Sequence, residues 1–148
     1  MRSRDEVAAR IAALRADAAA PPIAGEEIAL IDAILALRET TPHVLSALRD
    51  IAVDMPAIGP AVTRMEARME AMAGRGVDVD RLEFEGSYGR TSLEYYDGFV
   101  FGFYASDRPD LPPVATGGRY DALTAQLGQG RAVPAVGGVI RPDLVLGL

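Results

Sequence analysis

Through the first half of the chain, apolar residues return every three or four positions, the spacing of one helix face. Ser3 followed by Glu6 is a capping-box spacing, and Val7, Ile11 and Leu14 behind it predict a helix to about Ala19, stopped by Pro21 and Pro22. A second helix is predicted over residues 26–38. Its Ile28, Ile31 and Leu35 lie on one face and Leu30, Ile34 and Leu37 on another, which implies packing between neighbours. Thr41-Pro42 reads as an N-cap and first-turn proline opening a third helix through Val44, Leu45, Leu48 and Ile51, which ends at Met55-Pro56. Gly59-Pro60 introduces a fourth, with Val62, Met65, Met69 and Met72 as its apolar stripe. Such a methionine stripe can line an adaptable groove, but core packing is the expectation here. Gly74 and Gly76 close this helix.

The period then changes from helical to alternating. Arg81 to Glu85 reads as a half-buried strand, with Glu83 and Glu85 on its solvated side rather than as a catalytic acid pair. In the stretch from Leu93 to Tyr104, Phe99, Phe101 and Phe103 share a face that reads as core. The opposite face carries Glu94, Tyr96, Gly98, Val100, Gly102 and Tyr104: two tyrosines and a carboxylate beside glycines, the composition of a shallow ligand floor. A plainer reading stays open, with Gly98 in an Asp97-Gly98 hairpin turn, Gly102 at a bulge and the tyrosines covering a core edge. A polar loop over 106–113 leads to Val114-Ala115-Thr116, an expected antiparallel partner. Gly117-Gly118 allows a tight turn or a close approach to a ligand. Tyr120 to Leu127 is a short helix stopped by Gly128, Ala132 to Ile140 a last strand, and Pro142 the start of a terminal helix. The expected fold class is α+β, a helical N-terminal region 1–76 followed by a mainly antiparallel sheet over 77–148.

Composition narrows the function. At 148 residues, 49% hydrophobic and 24% charged, the chain has the make-up of one ordinary globular domain. All 15 basic residues are arginine, a bias that looks genomic as much as functional. The net charge of −6 and the lack of a basic run argue against a nucleic-acid partner. No cysteine is present and His43 is the sole histidine, so neither a metal site nor a histidine base is expected. Gly128 and Gly130 have neither the spacing nor the lysine of a phosphate loop. No cofactor is called for. With no membrane-length apolar stretch and no signal-peptide segment behind Met-Arg-Ser-Arg-Asp-Glu, a soluble, cytoplasmic protein without membrane contact is expected.

LEYYDGFVFGFYA, then PPVATGGRYDALTAQLG, then PAVGGVIRPDLV, in that order over roughly residues 91–148, resemble the second half of a histidyl-tRNA synthetase-like catalytic module. The resemblance implies a partial class II aminoacyl-tRNA synthetase-like sheet. It also implies a histidine pocket flanked by Tyr96 and Tyr120, with Gly117 and Gly118 close to the ligand. Glu94 and Arg119 are implied as supporting or ion-paired groups. Two departures weigh against chemistry. Where a synthetase carries an arginine two residues before its Leu-Asp-Tyr-Tyr leucine, this chain has Thr91, with Arg90 one place out of register. Where the family's Gly-Leu-Glu-Arg arginine contacts ATP, this chain reads Arg141-Pro142-Asp143-Leu144, and leucine can neither fork onto phosphate nor stack on adenine.

Retained tyrosines and lost arginines make the chain most similar to the regulatory subunit of ATP phosphoribosyltransferase. That family works with a short-form catalytic subunit at the first step of histidine biosynthesis. The resemblance thus implies a non-catalytic protein that activates that subunit and senses L-histidine. The alternatives are a divergent amino-acid-activating enzyme of the synthetase type and a structural assembly domain with a vestigial pocket. The family's preceding segments, used in dimerisation and in the other pocket wall, are missing, so the chain is expected to be a piece of that subunit and to form homo-oligomers.

Overall fold

Two helices cross-linked by apolar stripes make the core of the first half. In the computed structural model, which describes residues 3–89 and 95–147, α3 (Thr41–Asp54) and α4 (Gly59–Ala73) face each other through Val44, Leu45, Val62 and Met65, all buried. Leu48, Met69 and Phe84 pack around them, so the methionine stripe is core. Each such side chain removed from water contributes about 1.5–3 kcal/mol. Arg49 and Glu66 add a surface ion pair at 2.7 Å between the two helices, worth about 1 kcal/mol at most. A single 3₁₀ turn at Pro56–Ile58 joins them, and Gly76, at φ +81°, takes the left-handed backbone that lets the chain leave α4.

Helix α1 (Arg4–Ala19) starts on the capping box, with Ser3 N donating to Glu6 Oε2 at 2.7 Å and Glu6 N to Ser3 Oγ at 3.1 Å. Its stripe of Val7, Ile11 and Leu14 is exposed. Helix α2 (Gly25–Ala36) buries only one of its two apolar faces: Leu30, Ile34 and Leu37 are half-buried, while Ile28, Ile31 and Leu35 stay open. The expectation of neighbours on both sides is therefore met on one side only.

The helix expected to reach Arg38 stops at Ala36. Arg38–Thr40 is a strand, β1, antiparallel to β2 (Glu83–Glu85), with Arg38 opposite Glu85 and ion-paired to it. The N-cap of α3 is Thr40 rather than Thr41. Thr41 is buried instead, its backbone N and Oγ1 both donating to Leu82 O, at 2.7 and 2.8 Å. The two compact units of the chain are Met1–Ser87 and Tyr88–Leu148. The composition shift at Gly74–Gly76 thus precedes the contact boundary, because the Glu83–Glu85 strand pairs back into the helical unit.

In the second unit, β3 (Val100–Phe103), β4 (Ala115–Arg119) and β5 (Val136–Ile140) form an antiparallel sheet with β4 in the centre. Gly117 and Gly118 do not turn the chain; they run through the middle strand, opposite Phe101 and Val100 on one side and Gly138 and Gly137 on the other. Gly102 sits in unbroken register opposite Thr116, so it marks no bulge. Gly98 has no positive φ; its missing side chain makes room for Arg119, whose Cβ would lie 2.8 Å from an added Cβ. The last strand is shorter than expected because residues 132–135 are tied to α5 (Asp121–Leu127). A single helical turn, α6 (Pro142–Val145), follows β5.

The face expected to be core is open. Phe101 and Phe103 pack edge to face at 5.7 Å, yet Phe103 is 61% exposed and Ile140 beside it 69%. With Ala115 and Gly138 they line a shallow apolar groove of about 340 Å³.

Candidate functional site

Paired residues in an antiparallel sheet share a face and successive residues alternate, so the register sorts the second unit's aromatic residues. Phe101 lies with Gly117 and Gly138 on one face; Gly118, Gly137 and Gly102 belong to the other. The tyrosines occupy that second face. A Cβ on Gly118 would stand 2.7 Å from Tyr96 Cδ1, one on Gly137 would stand 2.9 Å from the Tyr120 hydroxyl, and one on Gly102 would meet the Tyr88 hydroxyl. The glycines are thus seats for rings.

Tyr95, Tyr96 and Tyr120 form one cluster, with ring centroids 4.8 Å apart for Tyr95–Tyr96, 5.4 Å for Tyr95–Tyr120 and 6.3 Å for Tyr96–Tyr120. The Tyr95–Tyr120 contact is edge to face, an arrangement worth about 0.5–1.5 kcal/mol beyond burial. Burial, and then hydrogen bonding with the Tyr95 hydroxyl, push the Tyr96 phenol above its ordinary value of 10.0. Neutral phenols are both donors and acceptors, so the cluster offers a small polar aromatic ligand stacking surface and hydrogen bonds together.

The expected site residues divide accordingly. Tyr96, Gly118 and Tyr120 come together; Gly117 lies in the same strand but faces the phenylalanine side; Glu94 lies outside the described residues, as do Arg90 and Thr91. By the alternation of β4, Arg119 projects away from Gly118. It is ion-paired with Asp121, Nη2 to Oδ2 at 2.7 Å. Tyr95 and Asp97 belong to the expected aromatic stretch but were not among the residues assigned to the pocket. The signal available for Asp97 was its place directly behind Tyr96, matched by Asp121 behind Tyr120.

Asp121 accepts Ala135 N at 2.8 Å and Arg119 Nε at 2.8 Å, and these bonds, the backbone one first, hold its carboxyl below the ordinary 3.8. A carboxyl depressed on folding contributes stability that is complete above the unfolded value and is lost as the pH falls through the folded one. The stability difference between the protein and its Asp121→Asn variant should therefore be constant at neutral pH and shrink below about pH 4. Thermal unfolding across an acid pH series checks this; a gap that stays constant down to the lowest pH would show that Asp121 gains nothing from its charge.

Among the described residues there is no cluster of side chains able to hold a metal ion, and no helix is long and apolar enough to cross a membrane.

Compared with known families, residues 4–145 match the sequence model of histidyl-tRNA synthetase. The chain belongs to the histidyl-tRNA synthetase family. Within that family, similar curated relatives are proteins named ATP phosphoribosyltransferase regulatory subunit from Brucella ovis, Brucella canis and Brucella abortus. Each is 35% identical over 123 residues, 82% of this chain and 32% of the relative. The chain spans about a third of the length of these relatives. No solved structure matches significantly. The mixed helical and antiparallel architecture agrees with the class II synthetase-like fold of the family.

Proposed function

We propose that this chain is part of a regulatory subunit of ATP phosphoribosyltransferase, a non-catalytic cytoplasmic protein that activates a short-form catalytic subunit and senses histidine on its tyrosine face. The observation that carries the reading is the 35% identity to proteins of that name, over most of this chain. The site chemistry supports it. An imidazole can stack on a phenol ring while its nitrogens meet phenolic hydroxyls, and Tyr96 and Tyr120 stand side by side over the glycine seats. Lost phosphate chemistry supports it too. Leu144 is half-buried in α6, and Arg141, three residues before it, donates to Pro113 O at 2.9 Å.

Oligomerisation belongs to the same reading, since Ile28, Ile31 and Phe103 leave apolar surface uncovered in each unit. Co-expression with a short-form catalytic subunit, followed by affinity capture and sedimentation, should recover a complex containing more than one copy of the regulatory chain. Recovery of the two proteins apart would overturn the regulatory assignment. Calorimetric titration of the regulatory protein, in its natural length, should show Tyr96→Ala and Tyr120→Ala each weakening histidine binding by about 1–3 kcal/mol. Unchanged affinity in both variants would move the sensing site elsewhere.

A further inference from the structure

Tyr96 and Tyr120 are each followed by an aspartate, and both carboxylates are engaged. Asp97 reaches across to the start of α5, where Oδ1 accepts Asp121 N at 3.2 Å and Oδ2 accepts Ala122 N. First-turn amides have no acceptor inside their own helix. A helix usually caps them with its own N-cap side chain; here the N-cap is Tyr120, which makes no such bond, and the acceptor comes from 24 residues upstream. The main chain adds to the tie, since Asp97 N and Gly98 N donate to Arg119 O at 3.0 and 3.3 Å. Residues on both sides of Tyr120 are thus bonded to the segment that carries Tyr96. On the far side, Tyr120 N donates to Ala135 O at 3.0 Å and Asp121 takes Ala135 N.

We propose that Asp97 is the positioning residue of the tyrosine site, its carboxylate fixing the Tyr95–Tyr96 segment on the first turn of α5 so that Tyr96 and Tyr120 present one surface. Insofar as the ligand is histidine, this rests on the function proposed above. A direct role for Asp97, as the anion that meets a ligand's ammonium group, fits less well, because both of its oxygens already accept backbone amides. A ligand that draws the two tyrosines together would gain affinity from the tie without touching it.

The test compares Asp97→Ala with Asp97→Asn, which keeps one acceptor oxygen. In Asp97→Ala, nuclear Overhauser contacts between the Tyr96 and Tyr120 rings should disappear and the Asp121 and Ala122 amides should exchange at least about tenfold faster. The Tyr96 phenol should titrate nearer its ordinary value, and histidine affinity should fall about tenfold. Asp97→Asn should restore most of each. Ring contacts and a raised phenol that survive in Asp97→Ala would overturn the positioning role. If ring contacts vanish in Asp97→Ala while the unaltered protein binds no histidine, the positioning role stands and the histidine reading falls. Should Asp97→Ala fail to fold, Asp97→Asn decides: ring contact that rises and falls with Ala122 amide protection supports the tie, and either one persisting without the other overturns it.

Discussion

Gly117→Ala is expected to destabilise the sheet of the second unit by about 3 kcal/mol, the upper part of the range for overpacking a filled site. A Cβ there would run into Gly137 O and Phe101 Cζ and stand 2.9 Å from Gly138 Cα. Two of those obstacles are backbone of the neighbouring strand, which cannot yield without breaking the ladder between β4 and β5. Gly117 is buried, so the new methyl has no route to solvent. Gly25→Ala is the natural control. It opens α2 with nothing within 4 Å of its added Cβ, and the change should be neutral or stabilising by a few tenths of a kcal/mol, since alanine loses less backbone entropy than glycine. Denaturant unfolding of both variants reads the contrast directly. A loss under about 1 kcal/mol at Gly117 would mean that the strands part more easily than their register implies.

The second large effect is a missing reaction. Histidine-dependent pyrophosphate exchange should stay at background, in this chain and in any longer form of the protein. By resemblance to the synthetases, Thr91 and Leu144 stand where two arginines would steady the charge of the transferring phosphate. Removing one preorganised group of that kind commonly costs about a hundredfold to a thousandfold in rate. Losing two should leave nothing measurable. Exchange above background would replace the regulatory reading with the amino-acid-activating one.

Local rules reached some of these features and not others. Ser3 and Glu6 announce their helix because a capping box is complete within four residues, and Val44, Leu45, Val62 and Met65 announce a core because helical spacing repeats within each element. β1 gave no such signal. Arg38, Glu39 and Thr40 have no apolar alternation, and they are a strand because Glu85, 47 residues away, lies opposite Arg38. Gly117 and Gly118 read as a turn because glycine usually punctuates. What holds them extended is pairing with a strand on either side, while a phenylalanine ring on one face and a tyrosine ring on the other, from residues about twenty positions earlier, fill the space that side chains would take. The grouping of Tyr96 with Tyr120 was visible only through the family resemblance, and Asp97 read as no more than a turn residue because its partners belong to a helix it precedes. The open side of Phe103 also follows from distance, since alternation tells which residues share a face and not what lies against it.

The glycine rungs also restrict how the protein can drift in evolution. At Gly117–Gly138 and Gly118–Gly137 the two strands touch with hydrogen atoms where side chains would be, and aromatic rings lie against that bare backbone from above and below. A larger residue at Gly117 or Gly118 runs into neighbouring backbone, one at Gly137 meets the Tyr120 hydroxyl and one at Gly138 is only tight against Thr116 O, so the four positions are not equally closed to exchange. Losing Phe101 or Tyr96 would not free Gly117 or Gly118, where Gly137 O and Phe99 O would still stand in the way, but losing Tyr120 would give Gly137 the space to enlarge, and the larger residue would then bar the ring's return. The ratchet therefore lies on the tyrosine face, and a family member keeping a tyrosine at the position of Tyr120 should be found keeping a glycine at the position of Gly137.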